Sequence, residues 1–167
     1  MSAPRYFIWS EQLECGIGPY YLSMLGLRCP AGQSFRGRLC AVRFCFQEKA
    51  GGISGSDDSQ IRMRLRVSNN TAHGTGNNIT SYIGKRDPSQ IDTRLYGVYD
   101  YYTSEPGVQG RIPFECAGNN RRGLYKRWED PQQRPGWGPN ETLLVQFAAG
   151  SDLGFIIWAQ AEWEEVG

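Results

Sequence analysis

An all-β chain is what the sequence predicts: a single β-sandwich domain over residues 1–167, with about eight or nine strands in a jelly-roll or related Greek-key arrangement. Three observations predict it. Apolar and polar residues alternate in short runs, clusters rich in Gly, Pro, Asn and Asp interrupt those runs every 8–15 residues, and no segment sustains a helical period. The 21 glycines, 9 prolines and 13% aromatic content agree, describing a chain that turns often and suits pleated, half-buried surfaces. At 167 residues, roughly two-thirds of the unfolded surface can be buried, so no disulfide framework is required.

The first expected strand is RYFIWSE (5–11), followed by YYLSMLGL (20–27), where one or two helical turns could also form. In GRLCAVRFCFQ (37–47) the parity of Cys40, Val42, Phe44 and Phe46 predicts a core face, with Leu39, Ala41, Arg43, Cys45 and Gln47 on the other. IRMRLRV (61–67) alternates without a break, Ile61, Met63, Leu65 and Val67 against Arg62, Arg64 and Arg66. ITSYIG (79–84), IDTRLYGVYDYYT (91–103) and GRIPFEC (110–116) follow. A short helix could form near 121–129, and ETLLVQFAA (141–149) and LGFIIWAQAEWEEV (153–166) complete the set. In the last strand Ile157, Ala159, Ala161 and Trp163 share one face; Ile156, Trp158, Gln160, Glu162 and Glu164 share the other. Apolar at its start and acidic at its end, it is expected to finish at a rim. The order of strands in the sheets is not legible.

Charge narrows the function. The net charge of +1 with 21% charged residues excludes a strongly basic nucleic-acid coat, and the arginine-rich strand lacks the interleaved aromatics that stack bases. The distribution is uneven, however. Residues 61–134 carry 12 Lys/Arg against 7 Asp/Glu, while residues 135–167 carry 5 acids and no Lys or Arg, so the two regions are expected to neutralise each other on folding. No apolar run approaches the ~20 residues needed to span a bilayer, and the N-terminus has no cationic and apolar leader pattern, so a soluble protein kept in the cytoplasm is expected.

Catalytic groups are sparse. The one histidine, His73, lies in the loop NNTAHGTGNN, where a solvated role is the ordinary outcome. Cysteines 15, 29, 40, 45 and 116 are odd in number and without CxxC spacing, and read as small buried hydrophobes in a reducing compartment. Asp57 and Asp58 in SGSDDS lack a calcium-loop register, and no phosphate loop or zinc spacing occurs, so neither metal nor cofactor is expected. Glu162 and Glu164 would stand ~7 Å apart on one strand face, with Asp100, Glu105 and Glu115 as further acids for a β-sandwich glycoside hydrolase.

The favoured expectation is a non-enzymatic structural subunit packing into a symmetric assembly. Its interface candidates are Arg62, Arg64, Arg66, Tyr99, Tyr101, Trp137, Glu162 and Glu164. Glu162 and Glu164 repeat the spacing of the arginines, so the two strands as neighbours, within one subunit or across subunits, would pair charges at ~0.2–1 kcal/mol each and fix a register. Tyr99 and Tyr101 share a face, and the loop RPGWGP is expected to expose Trp137; both present rigid rings with polar tips. The partners expected are other copies of the chain, as a trimer or other closed homo-oligomer, and a larger protein shell. Such a subunit would be a decoration or cement protein on the outside of a virus particle, since no basic arm for packaging a genome is seen. A cytosolic carbohydrate-binding, lectin-like module using Trp137 and the tyrosines is the alternative.

Overall fold

Among the described residues of the computed structural model, thirteen strands form two antiparallel sheets and no α-helix occurs. The structure describes residues 3–10, 12–14, 21–48, 60–69, 75–95, 97–104, 110–119, 123–149 and 155–167. In chain order the strands are β1 (Arg5–Trp9), β2 (Leu13–Glu14), β3 (Leu22–Arg28), β4 (Arg36–Glu48), β5 (Gln60–Asn69), β6 (Thr75–Asn78), β7 (Gly84–Lys85), β8 (Gly97–Ser104), β9 (Gly110–Asn119), β10 (Leu124–Arg127), β11 (Gly136–Trp137), β12 (Glu141–Ala149) and β13 (Phe155–Val166). Sheet I has the order β10-β4-β13-β1-β7, with β11 added to β4 and β2 to β13; sheet II has the order β6-β8-β3-β12-β5-β9.

The long alternating runs became the long strands. β5 buries Ile61, Met63, Leu65 and Val67 on one parity, and β13 buries Ile157, Ala159, Ala161 and Trp163. Together with Leu25 and Leu27 of β3 and Leu143, Val145 and Phe147 of β12 they form one core drawn from both sheets. Each fully buried Leu, Val or Phe contributes ~1.5–3 kcal/mol, and alternation is how a two-sheet core is filled from opposed faces.

Four expectations need correction. Parity in β4 reverses across residues 39–41, because β13 pairs Glu162 with Ala41 but Trp163 with Leu39, leaving Cys40 as an extra residue in a bulge. Leu39 therefore joins the core and Cys40 is buried on the outer face. ITSYIG is not a strand: Thr80–Tyr82 form a 3-10 turn and only Gly84–Lys85 pair, against β1. In IDTRLYGVYDYYT only residues 97–104 form a strand, and residues 91–95 run irregularly from sheet I to sheet II. Finally, residues 124–127, where a helical turn was an option, form the edge strand β10 on β4.

That irregular connection is pinned by polar contacts. Tyr6 Oη donates to the Ile91 carbonyl at 3.0 Å, Gln90 Oε1 accepts from the Arg5 amide, and Lys85 reaches Asp92 at 2.6 Å. Glu165 accepts from the Arg94 amide and side chain and from the Thr93 hydroxyl. A connection with few apolar residues is held by satisfied hydrogen bonds instead of ladder pairing.

Candidate functional site

The outer face of sheet II gathers the arginines of β5. Backbone register sets up rows across the sheet: Arg66 stands opposite Leu144, Leu144 opposite Gly26, and Gly26 opposite Tyr99. The adjacent row runs Glu115, Arg64, Gln146, Ser23. Because Ile61, Met63, Leu65 and Val67 take the core side, Arg62, Arg64 and Arg66 must project from the other side.

The three arginines have different surroundings. Arg64 is clamped: its Nε donates to Gln146 Oε1 at 2.8 Å, Gln146 Nε2 donates to Ser23 Oγ at 2.9 Å, and the guanidinium lies 3.5 Å from the ring centre of Tyr21. The Tyr21 hydroxyl in turn donates to Glu115, and burial followed by the Glu115 hydrogen bond and charge pushes the Tyr21 pKa up. Arg62 is exposed. Arg66 is only 7% exposed, yet it makes no ion pair or hydrogen bond among the described residues, and its Nε is buried without an acceptor. Burial first, and the neighbouring Arg64 charge second, lower the Arg66 pKa. A buried guanidinium Nε with no acceptor among the described residues costs free energy that a neighbouring acceptor would return.

Tyr99 and Tyr101 lie on β8 of the same sheet; their side chains are outside the described ones, and the Tyr99 Cα is opposite both Gly26 and Asn78. Tyr96, His73, Asp57, Asp58, Cys15 and Glu105 also lie outside the described residues.

Glu162 and Glu164 are elsewhere. They belong to β13 in sheet I, so within one chain β5 and β13 are not neighbours and the expected intrachain charge ladder does not form. Nor does β13 end at a rim: Glu162 and Glu164 are 5% and 6% exposed on the outer face of sheet I. Arg86 reaches Glu162 at 2.7 Å and Arg127 stands 3.9 Å from it. Glu164 takes Arg134 at 2.7 Å and Arg5 at 4.0 Å. Arg134 also donates to the carbonyls of Trp128 and Glu129, fastening the 128–135 segment over the sheet. Cys40, displaced outward by its bulge, sits in the same field, and burial pushes its thiol up to about 11.

The neutralisation expected between the basic and acidic regions is observed. Arg86, Arg94, Arg111, Arg127 and Arg134 pair with Glu141, Glu162, Glu164 and Glu165. Which arginine would serve which acid had no local signal, since the partners lie 30 to 76 residues apart for Arg111–Glu141 and Arg86–Glu162.

Trp137 is corrected outright. It is 1% exposed on β11 and packs flat against Gly37, where a Cβ would overlap the indole. The Gly-Pro-rich flank read as a loop is a short strand on β4, and the ring belongs to the core.

Chemistry for covalent catalysis is not assembled among the described residues. Burial raises the pKa of Cys29 and Cys40 to about 11 and also raises those of Cys45 and Cys116, which keeps each thiol protonated near neutral pH. No group of three or more His, Cys, Asp or Glu converges as metal ligands among the described residues. A scan of protein-family models and a search of curated proteins each found no match.

Proposed function

We propose that this chain is a non-enzymatic structural subunit of a symmetric assembly, acting as a decoration or cement protein on the outside of a virus particle. The arginine face of sheet II would be its contact surface. The observation that carries the reading is Arg66: an arginine 7% exposed, its Nε buried without a partner and with no ion pair among the described residues. A carboxylate supplied by a neighbour would complete it. Beside it, Arg62 is exposed and Arg64 is held at fixed geometry by Gln146 and Tyr21, and that fixed geometry lowers the entropy lost on docking.

We read the strand order as a jelly roll. The four-strand set β1-β13-β4-β10 would oppose β3-β12-β5-β9, with the chain crossing between sheets at most connections and β6, β7 and β8 added at the edges. Jelly rolls serve in viral shells and in lectins, so this supports the class by analogy and not the particular partner. In a homo-oligomer the acids facing the arginines would come from somewhere other than Glu162 and Glu164, whose oxygens already face Arg86, Arg127 and Arg134. Those contacts also weaken the glycoside hydrolase alternative, since neither carboxylate is free to exchange protons with a sugar. Burial of Trp137 weakens the lectin alternative by removing its stacking platform.

Native mass measured by light scattering, over a range of concentrations at low and high salt, tests the proposal. A trimer or larger closed ring that loosens with salt, and that R62E/R64E/R66E abolishes while leaving the fold intact, supports it. A wild-type monomer at every concentration and salt, bound neither to itself nor to a protein shell, would sink it.

A further inference from the structure

A second arginine cluster lies away from the sheet II face, where the start of β4, the start of β9 and the β11–β12 turn converge. Arg36, Arg38 and Arg111 line an open cleft of about 580 Å³ together with Trp137 and Glu141. The volume is in the range of small-molecule sites.

The walls are built, and the cationic groups are unequally engaged. Arg111 donates to Glu141 Oε1 at 3.0 Å and to the Gly136 carbonyl at 2.7 Å, so its guanidinium is fixed. Glu141 is fixed in turn, accepting from the Gly138 amide at 2.7 Å, while Asn140 adopts a left-handed backbone (φ 61°) that closes the turn. Trp137, locked against Gly37, forms the floor. Arg36 and Arg38 are exposed and have neither ion pair nor hydrogen bond among the described residues. Their stems run beside two glycines: a Cβ at Gly138 would lie 4.0 Å from Arg36 Cγ, and one at Gly136 would lie 4.0 Å from Arg38 Cγ. Three guanidiniums against one carboxylate leave the lining with two uncompensated positive charges.

We propose that this cleft binds a small organic dianion of the phosphate-monoester class. Arg36 and Arg38 supply the donor forks for the terminal oxygens, the geometry in which guanidinium recognises phosphate, and Arg111 presents a fixed third charge. The cleft is larger than a free oxyanion needs, so the organic part of the ligand occupies the remainder beside Gly136, Gly138 and Pro139. This inference does not depend on the assembly reading, since it uses none of Arg62, Arg64 and Arg66.

The test is an amide-resolved NMR titration of the full chain at constant ionic strength, with glucose 6-phosphate, inorganic phosphate, glucose and sodium chloride as separate probes. Saturable shifts at Gly136, Gly138 and the Trp137 indole with glucose 6-phosphate, weaker ones with inorganic phosphate and none with glucose are expected. Equal affinity for inorganic phosphate would reassign the occupant to a free oxyanion and overturn the ester claim. R36Q/R38Q should weaken binding by roughly tenfold or more, with the β12 and β13 amides unmoved. Shifts that rise linearly, that chloride or glucose reproduces, or that survive in R36Q/R38Q would overturn the site itself.

Discussion

The guanidinium of Arg134 meets the carboxylate of Glu164 at 2.7 Å, with both side chains 7% exposed. The remaining donors of Arg134 reach the carbonyls of Trp128 and Glu129, so a buried ion pair doubles as the fastener of a surface segment. Removing one partner strands the other. Arg134→Ala should cost ~3–5 kcal/mol, whereas Arg134→Met combined with Glu164→Leu should be near neutral or stabilising. Urea unfolding of the single and double variants measures this; a loss under ~1 kcal/mol for Arg134→Ala would mean the pair behaves as an exposed one.

Arg66 makes the opposite prediction. It is buried, unpaired among the described residues and beside Arg64, so Arg66→Met should leave the stability of the dissociated chain unchanged or raise it by ~1–3 kcal/mol. The same change should weaken assembly. Thermal unfolding at high dilution, set against light scattering at high concentration, separates the two effects, and a clear loss of stability in the dilute sample would show that Arg66 already has a stabilising partner.

Burial at the core margin sets an alkaline limit. The Tyr6 pKa is raised from 10.0 to about 12, first by burial and then by the charge of Glu165, and Cys29 and Cys40 are raised from 9.0 to about 11 by burial. Each folded value lies above its unfolded one, so the stability tied to these neutral groups is intact below pH 9 and is lost as pH rises through 11 and 12. A denaturation series across pH 8–12 should show that decline, and Tyr6→Phe should flatten its upper part. In the same thiols, reaction with Ellman's reagent at pH 8 should be at least tenfold slower in the folded chain than in urea. Equal rates would contradict their burial.

Gly37 is required by Trp137. The indole occupies the space a Cβ would need, so Gly37→Ala should cost ~1–3 kcal/mol and Trp137→Ala ~3–5 kcal/mol. Because the two share one contact, their effects should be non-additive in a double-mutant cycle. Additive losses would mean that they act separately.

Parity alone determined much of this molecule. Ile61, Met63, Leu65 and Val67, and Ile157, Ala159, Ala161 and Trp163, each share one face by parity, and that is the face each strand buries, because in a strand the side-chain period is two and a one-sided pattern has one satisfactory orientation. The all-β character and the neutralisation between the basic middle and acidic end of the chain followed from composition and charge. Tertiary structure decided the rest. The bulge at Cys40 exchanged its role with Leu39, since an extra residue in one strand shifts every parity beyond it. Trp137 looked like an exposed loop aromatic until β11 paired with β4 and Gly37 left room for its ring. Glu162 and Glu164 found Arg86 and Arg134, and not the arginines of β5, because strand order decides which charges meet, and no local pattern in the chain encodes which sheet a strand will join.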